Sequence, residues 1–294
     1  MQYTAHADFV APARARPALW RVFLGLVVIA LIYALGIVAL YGILIATSGF
    51  AGANAWMERM ATAATPTSTL LVLATFVGMG VGPLVAARIL HRRSALSLVG
   101  PIPVAVRHFL VAAAICGCVY GLTQLIPSNL TPSQSLGLPI WASFLPLALV
   151  GIFIQTGAEE VLFRGYLQQQ LAARFSSPVI WMVLPSALFA MLHYQPALMG
   201  DTAWVMVAAV FLFAILAADL TAQTGSIGAA WGFHFANNTV AILFVAMDGP
   251  LSGLSLFTVP MADMGASELR PMLMLDMVIT TLTWAAIRFA VTRR

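Results

Sequence analysis

Apolar runs broken by short polar intervals organise this chain. A membrane-crossing helix needs about 20 mostly apolar residues. Eight runs approach that length: 22–47, 67–87, 108–126, 141–163, 178–199, 202–224, 226–246 and 271–290. The pattern predicts an all-α, polytopic membrane helix bundle of about eight transmembrane helices, a single integral membrane domain over 1–294. Residues 1–16 read as a mobile N-terminal tail, and no internal repeat is visible. Arg14, Arg16 and Arg21 precede the first run and Ala53-Asn54-Ala55 follow it, which gives it the look of a signal peptide. Its length, well beyond the roughly 7–15 residues of a signal core, predicts a retained helix instead.

Composition removes the other broad classes. Of 294 residues 61% are hydrophobic and 8% charged, too few charges to coat a soluble globule, since an average soluble chain is roughly 25% charged. All 14 basic residues are arginine, and the net charge is only +4. Nucleic-acid binding needs a clustered basic face on a soluble surface, so no nucleic-acid partner is expected. Cys116 and Cys118 stand two apart in an apolar run and face different sides of a helix, which favours neither a disulfide nor a metal site.

The arginines also orient the chain, because short cytoplasmic loops are enriched in them. With eight crossings and a cytoplasmic N-terminus, twelve arginines (14, 16, 21, 88, 92, 93, 107, 164, 174, 288, 293 and 294) lie inside, and two (59 and 270) outside. Glu58, Asp201, Asp248, Asp263 and Glu268 then fall in outer loops. Both termini are expected in the cytoplasm. The segment 91–107 becomes the main inner loop, with a short surface helix, and 247–270 the longest outer one.

Ionisable groups inside spans are costly and point to function. Glu159, Glu160, Asp219 and Asp276 qualify, with His193, His234, Asn237, Asn238 and Arg164 as polar company. Glu160 and Arg164 are i,i+4 with the acid first, the better order for pairing. Glu159 is rotated away and left without a cation on its own helix, which suits it to general-base work. The plain alternative is a salt-bridged helix end where a span meets water. Phe189 and His193 share a helix face, as do His234 and Asn238; interhelical packing and hydrogen bonding would use the same residues. At 1.5 Å per residue, Glu159 stands roughly 22 Å from Arg174, His193 roughly 22 Å from Pro178 and His234 roughly 12 Å from Ser226, depths that permit a shared chamber. Asp219 reads as solvated or capping near an inner helix end, and Asp276 as a polar interhelical contact. Gly78, Gly80, Gly82 and Pro83 read as close helix packing more readily than as a gate.

The set Glu159-Glu160-x-x-x-Arg164, Phe189-x-x-x-His193 and His234-x-x-x-Asn238, with Phe163-Arg164-Gly165-Tyr166-Leu167, resembles the CPBP family. These are the CAAX prenyl protease and bacteriocin-processing (Abi) intramembrane proteases. The resemblance covers about 143–244, the expected catalytic core, without departure at the motif positions. It implies an eight-helix endopeptidase with a chamber open to the cytoplasm, multi-pass in a bacterial inner (plasma) membrane. By position, Glu159 and His193 would activate water, and His234 and Asn238 would stabilise the oxyanion. Glu160, Arg164 and Phe189 would hold the site. Both metalloprotease and metal-free glutamate mechanisms are attached to the family. The residues favour the second, with no cofactor required, because no HExxH pair fixes two ligands on one turn. If zinc is present, Glu159, His193 and His234 are its ligands.

The expected partners are the lipid bilayer and a membrane-protein or peptide substrate; nothing fixes an oligomeric state or a prenyl group. The rival readings are a transporter or proton-coupled channel, against which stands the lack of matched broken helices, and a non-proteolytic scaffold or immunity protein on the same fold.

Overall fold

A computed structural model describes residues 3–123, 132–259 and 266–292, with no side-chain account of 266–268. Arg293, Arg294, Asp263, the Glu268 side chain and the end of the expected 108–126 span lie outside the described residues. The chain is an all-α membrane bundle with a small sheet at one end. Among the described residues six helical stretches are long and apolar enough to cross a bilayer: Leu19–Thr62, Pro66–Leu90, Ala95–Thr123, Leu138–Arg174, Pro196–Thr224 and Leu269–Thr292. The expected fifth and seventh spans give shorter helices, Val179–Met191 and Gly228–Leu243.

In chain order, α1 (Thr4–Val10) precedes the 44-residue α2 (Leu19–Thr62), α3 (Pro66–Leu90) and α4 (Ile102–Thr123). After β1 (Ser133–Gln134) come α5 (Leu138–Glu160) and α6 (Gln169–Arg174), joined by a π-helical stretch, Val161–Gln168. Then follow α7 (Leu184–Met191), α8 (Pro196–Met199), α9 (Ala203–Thr224) and α10 (Gly228–Leu243). β2 (Val245–Met247), β3 (Phe257–Val259) and α11 (Ala266–Thr292) complete the fold. The strand order is β1-β3-β2, with β1–β3 antiparallel and β2–β3 parallel.

Gly49 bends α2 at φ 72°, a backbone state that only glycine adopts without strain. The part beyond it packs back on the span: Tyr41 Oη donates to Asn54 Oδ1 (2.6 Å), and Ala53 and Met60 bury with Leu44. The glycine run of α3 is a packing face, as expected: a Cβ at Gly82 would meet Ile29 Cα of α2 at 3.0 Å. The bundle axis is α9, whose alanine-rich faces admit close neighbours; Ala209, Ala214, Ala217, Ala218 and Ala222 are all buried. Outward faces carry exposed apolar side chains such as Phe23, Leu35, Val38, Leu110 and Leu282, as a lipid-facing surface requires.

Two expectations are corrected here. Residues 3–16 are folded, not a mobile tail. Phe9, Val10 and Ala13 are buried, His6 lies 4.5 Å from Trp181 between ring centroids, and Gln169 Nε2 donates to Phe9 O. The segment has its own apolar face, which the bundle end covers. Asp219 is not solvated: it accepts from Tyr3 Oη (2.9 Å) and Trp284 Nε1 (3.0 Å) and pairs with Arg288 (3.1 Å). It thereby ties α9 to α11 and to the residue preceding α1. Asp276 is exposed on α11, within electrostatic reach of Tyr120.

Candidate functional site

The fourth span does not close at the acidic motif. It runs as one 37-residue helical stretch to Arg174, and the winding loosens to π form directly after Glu160. Such local widening recurs at functional positions because it redirects side chains that a regular helix would stack. All eight residues of the π stretch are buried. Upstream, Gly157 lets α10 approach: a Cβ there would sit 2.4 Å from Trp231 Cζ2.

Four charged or ionisable side chains meet in this interior. Arg164 Nη1 lies 3.2 Å from Glu160 Oε1, both groups fully or almost fully buried. The same oxygen stands 2.8 Å from His234 Nδ1, and His234 Nε2 is 3.4 Å from Glu159 Oε2. The result is a continuous chain, Arg164–Glu160–His234–Glu159, across α5, the π stretch and α10. Arg164 is held further by donation from Nη2 to Ala214 O (3.1 Å) and by the Phe189 ring, 5.2 Å from its Cζ. Phe189 is the packing hub: its ring centroid lies 5.0 Å from that of Phe163, 4.9 Å from His193 and 6.0 Å from His234. Glu160 Oε2 is buried and has no hydrogen-bond partner among the described residues, so one lone-pair face of the centre is open to a donor.

His193 stands differently from the expectation. The helix ends at Met191, and His193 occupies the turn before Gln195-Pro196, where the proline disfavours further helix. Its Nδ1 lies 2.9 Å from Phe189 O. A carbonyl can only accept, so Nδ1 carries the hydrogen, and Nε2 takes no part in that bond. His193 lies within electrostatic reach of Glu159.

Asn238 joins through a residue that motif spacing did not single out. Its Nδ2 donates to Gln155 Oε1 (3.0 Å), and Gln155 stands one turn before Glu159 on α5, within electrostatic reach of it. On its other side Asn237 Nδ2 donates to Asn238 Oδ1 (3.3 Å) and receives Tyr120 Oη at Oδ1 (2.6 Å). Gln155 is buried; a glutamine inside a span, four before Glu159, was the available signal.

Of the donor set Glu159, His193 and His234, His234 turns each ring nitrogen to a carboxylate, and His193 holds Nδ1 on a backbone carbonyl. Among the described residues no three His, Cys, Asp or Glu side chains converge as metal ligands.

The two ends of the site differ. Toward the arginine-rich end, Tyr166 Oη bonds His91 Nε2 (2.9 Å), Gln170 Nε2 bonds His91 Nδ1, and Gln169 Nε2 donates to Ser97 O (2.9 Å). These contacts close that end beneath α1 and the 91–101 segment. A cavity of about 410 Å³ between α1 and that segment touches none of the centre's residues. A cleft of about 180 Å³ with His193 in its wall opens beside residues 247–250 at the sheet end.

The fold and site thus define a polytopic membrane protein with a buried glutamate–histidine centre. Residues 140–240, which hold every member of that centre, match the family model described as type II CAAX prenyl endopeptidase Rce1-like, in agreement with the CPBP resemblance. Over 123 residues the chain is 33% identical to the uncharacterized protein YyaK of Bacillus subtilis (strain 168), an overlap covering 41% of this chain and 40% of that protein. No solved structure matches the chain.

Proposed function

We propose that this protein is an intramembrane endopeptidase that hydrolyses a peptide bond of a membrane-associated protein or peptide with a Glu159- and His193-activated water. The family match supports a protease role at the level of the family. The observation that carries the reading is the buried chain Arg164–Glu160–His234–Glu159, with His193 within electrostatic reach.

In this scheme Glu159 takes the proton of a water whose oxygen attacks the carbonyl carbon, with His193 Nε2 as the second acceptor. Neutralising Glu159 weakens its hold on the His234 Nε2–H, which turns to the developing oxyanion. Asn238 has a second amide hydrogen beyond the one given to Gln155, and offers it to the same oxygen. Glu160, held by Arg164, keeps the imidazole oriented through Nδ1. Collapse of the tetrahedral intermediate breaks the C–N bond, and the proton on Glu159 passes to the leaving nitrogen. No metal enters the scheme. The arginine-rich end is assigned to the cytoplasm, which places both termini there, and the host membrane is a bacterial inner membrane.

Comparative proteomics of membranes from wild-type and Glu159→Gln cells tests the reading. Uncleaved membrane peptides should accumulate only in the variant. Identical peptide patterns, with both proteins present at equal level, would refute it.

A further inference from the structure

Hydrolysis needs a peptide carbonyl that water can reach, and an α-helix commits its carbonyls to its own backbone. A spanning substrate must therefore be received in another form. The helix that bears His234 and Asn238 supplies one: α10 ends at Leu243, about 8 Å beyond Asn238 along its axis, and passes into β2 after one residue. β2 is the last strand of its sheet. Phe257 N donates to Phe244 O and Asp248 N to Val259 O, both 2.9 Å, which fixes the phase of the parallel ladder. Residues 244, 246 and 248 turn their backbone groups to β3, so those of Val245 and Met247 point to the other edge. No further strand lies on that side among the described residues. Protein edges are commonly blunted by charge, proline or a bulge; Val245-Ala246-Met247 has none of these, and Val245 and Met247 are only half-buried.

The 180 Å³ cleft adjoins this strand, with Met247 in one wall and His193, Leu198 and Met199 in another; Met206 also lines it. A helix about 10–12 Å across cannot enter such a space, whereas a side chain of an extended strand can. Three methionines give an apolar lining that adapts to different side chains.

We propose that the free edge of β2 receives an extended apolar segment of the polypeptide substrate by strand addition. Backbone groups of Val245 and Met247 pair with it, and the methionine-lined cleft holds one of its side chains beside His193. This rests on the reading of the centre as a peptidase, and adds that the substrate enters at the sheet end as a strand.

The test uses the full-length protein in detergent and internally quenched apolar decapeptides. Met247→Pro removes an edge donor that the β2–β3 ladder does not use, and proline is tolerated on edge strands. KM should rise about 3- to 10-fold, the equivalent of one backbone hydrogen bond, with kcat and melting temperature within about twofold and a few degrees of wild type. A matching rise should appear when the peptide is N-methylated at the paired positions, a measurement that holds if the variant misfolds. Unchanged KM for both Met247→Pro and every methylated peptide would overturn the edge. Absence of cleavage by wild type is a failure of the peptidase reading alone. The edge is then decided by fluorescence anisotropy of labelled peptide on Glu159→Gln protein: binding weakened 3- to 10-fold by methylation supports it, and binding that is absent or indifferent to methylation overturns it.

Discussion

Replacing Arg164 by methionine removes the guanidinium that Glu160 contacts beside the imidazole of His234. Glu160 has no exposed surface and Arg164 almost none, so no water replaces the lost partner. Truncating one member of a buried pair costs about 3–5 kcal/mol, because the other charge is left uncompensated. The freed Ala214 carbonyl adds about 1 kcal/mol. His234, 2.8 Å from the same carboxylate oxygen, keeps its hydrogen bond and offsets part of this. The lower half of the range, about 3 kcal/mol, is therefore expected. By the scaling for chains of this size that lowers the melting temperature by about 5 °C. The assay is thermal unfolding of purified protein in one detergent, with Glu159→Gln as comparison and Arg164→Met/Glu160→Gln to close the cycle. The double variant should recover part of the loss, since no buried charge is then stranded. Equal melting of Arg164→Met and Glu159→Gln, or a double variant worse than the sum of its singles, would refute this division of labour.

Other consequences are as direct. Gln155→Leu removes the link between Asn238 and Glu159; kcat should fall about 10- to 100-fold, the scale of one hydrogen bond to a charged group, with KM steady. An unchanged kcat would exclude Gln155 as a positioning residue. His6 is held by burial, and secondarily by Arg14, down to about 4 from its ordinary 6.5. The unfolded chain therefore binds its proton more readily. The stability that neutral His6 confers is full above about pH 6.5 and is lost as pH falls toward 4. His6→Phe should flatten the decline in melting temperature between pH 7 and 5, and parallel curves would contradict this. Exhaustive dialysis against a strong chelator should leave proteolysis intact and metal content well below one ion per chain; loss of activity restored by stoichiometric zinc would defeat the metal-free scheme.

Much of the centre was legible because helical spacing carries it. Glu160 and Arg164 at i,i+4 meet as the spacing requires, and the separateness of Glu159 is real on its own helix. The partner that reaches both carboxylates comes from α10, and no single-helix argument specifies a contact across 74 residues. The same limit hid Gln155, whose nearness to Glu159 is local but whose importance comes from Asn238. The eight apolar runs located the helices well; their ends depended on turn chemistry, as at Gln195-Pro196, where the helix stops before His193. The N-terminal segment was misread because its few apolar residues look insufficient alone, and only the bundle end supplies what Phe9, Val10 and Ala13 bury against. The π stretch leaves no hydropathy signal at all.

The central claim is that water activated at Glu159 cleaves a peptide bond. It is tested by incubating purified protein in proteoliposomes with an apolar peptide in heavy-oxygen water and reading the products by mass spectrometry. Wild type should give two fragments with one heavy oxygen in the new carboxylate, and Glu159→Gln, folded by its melting curve, should give none. Equal heavy-oxygen cleavage by the two proteins would contradict the account.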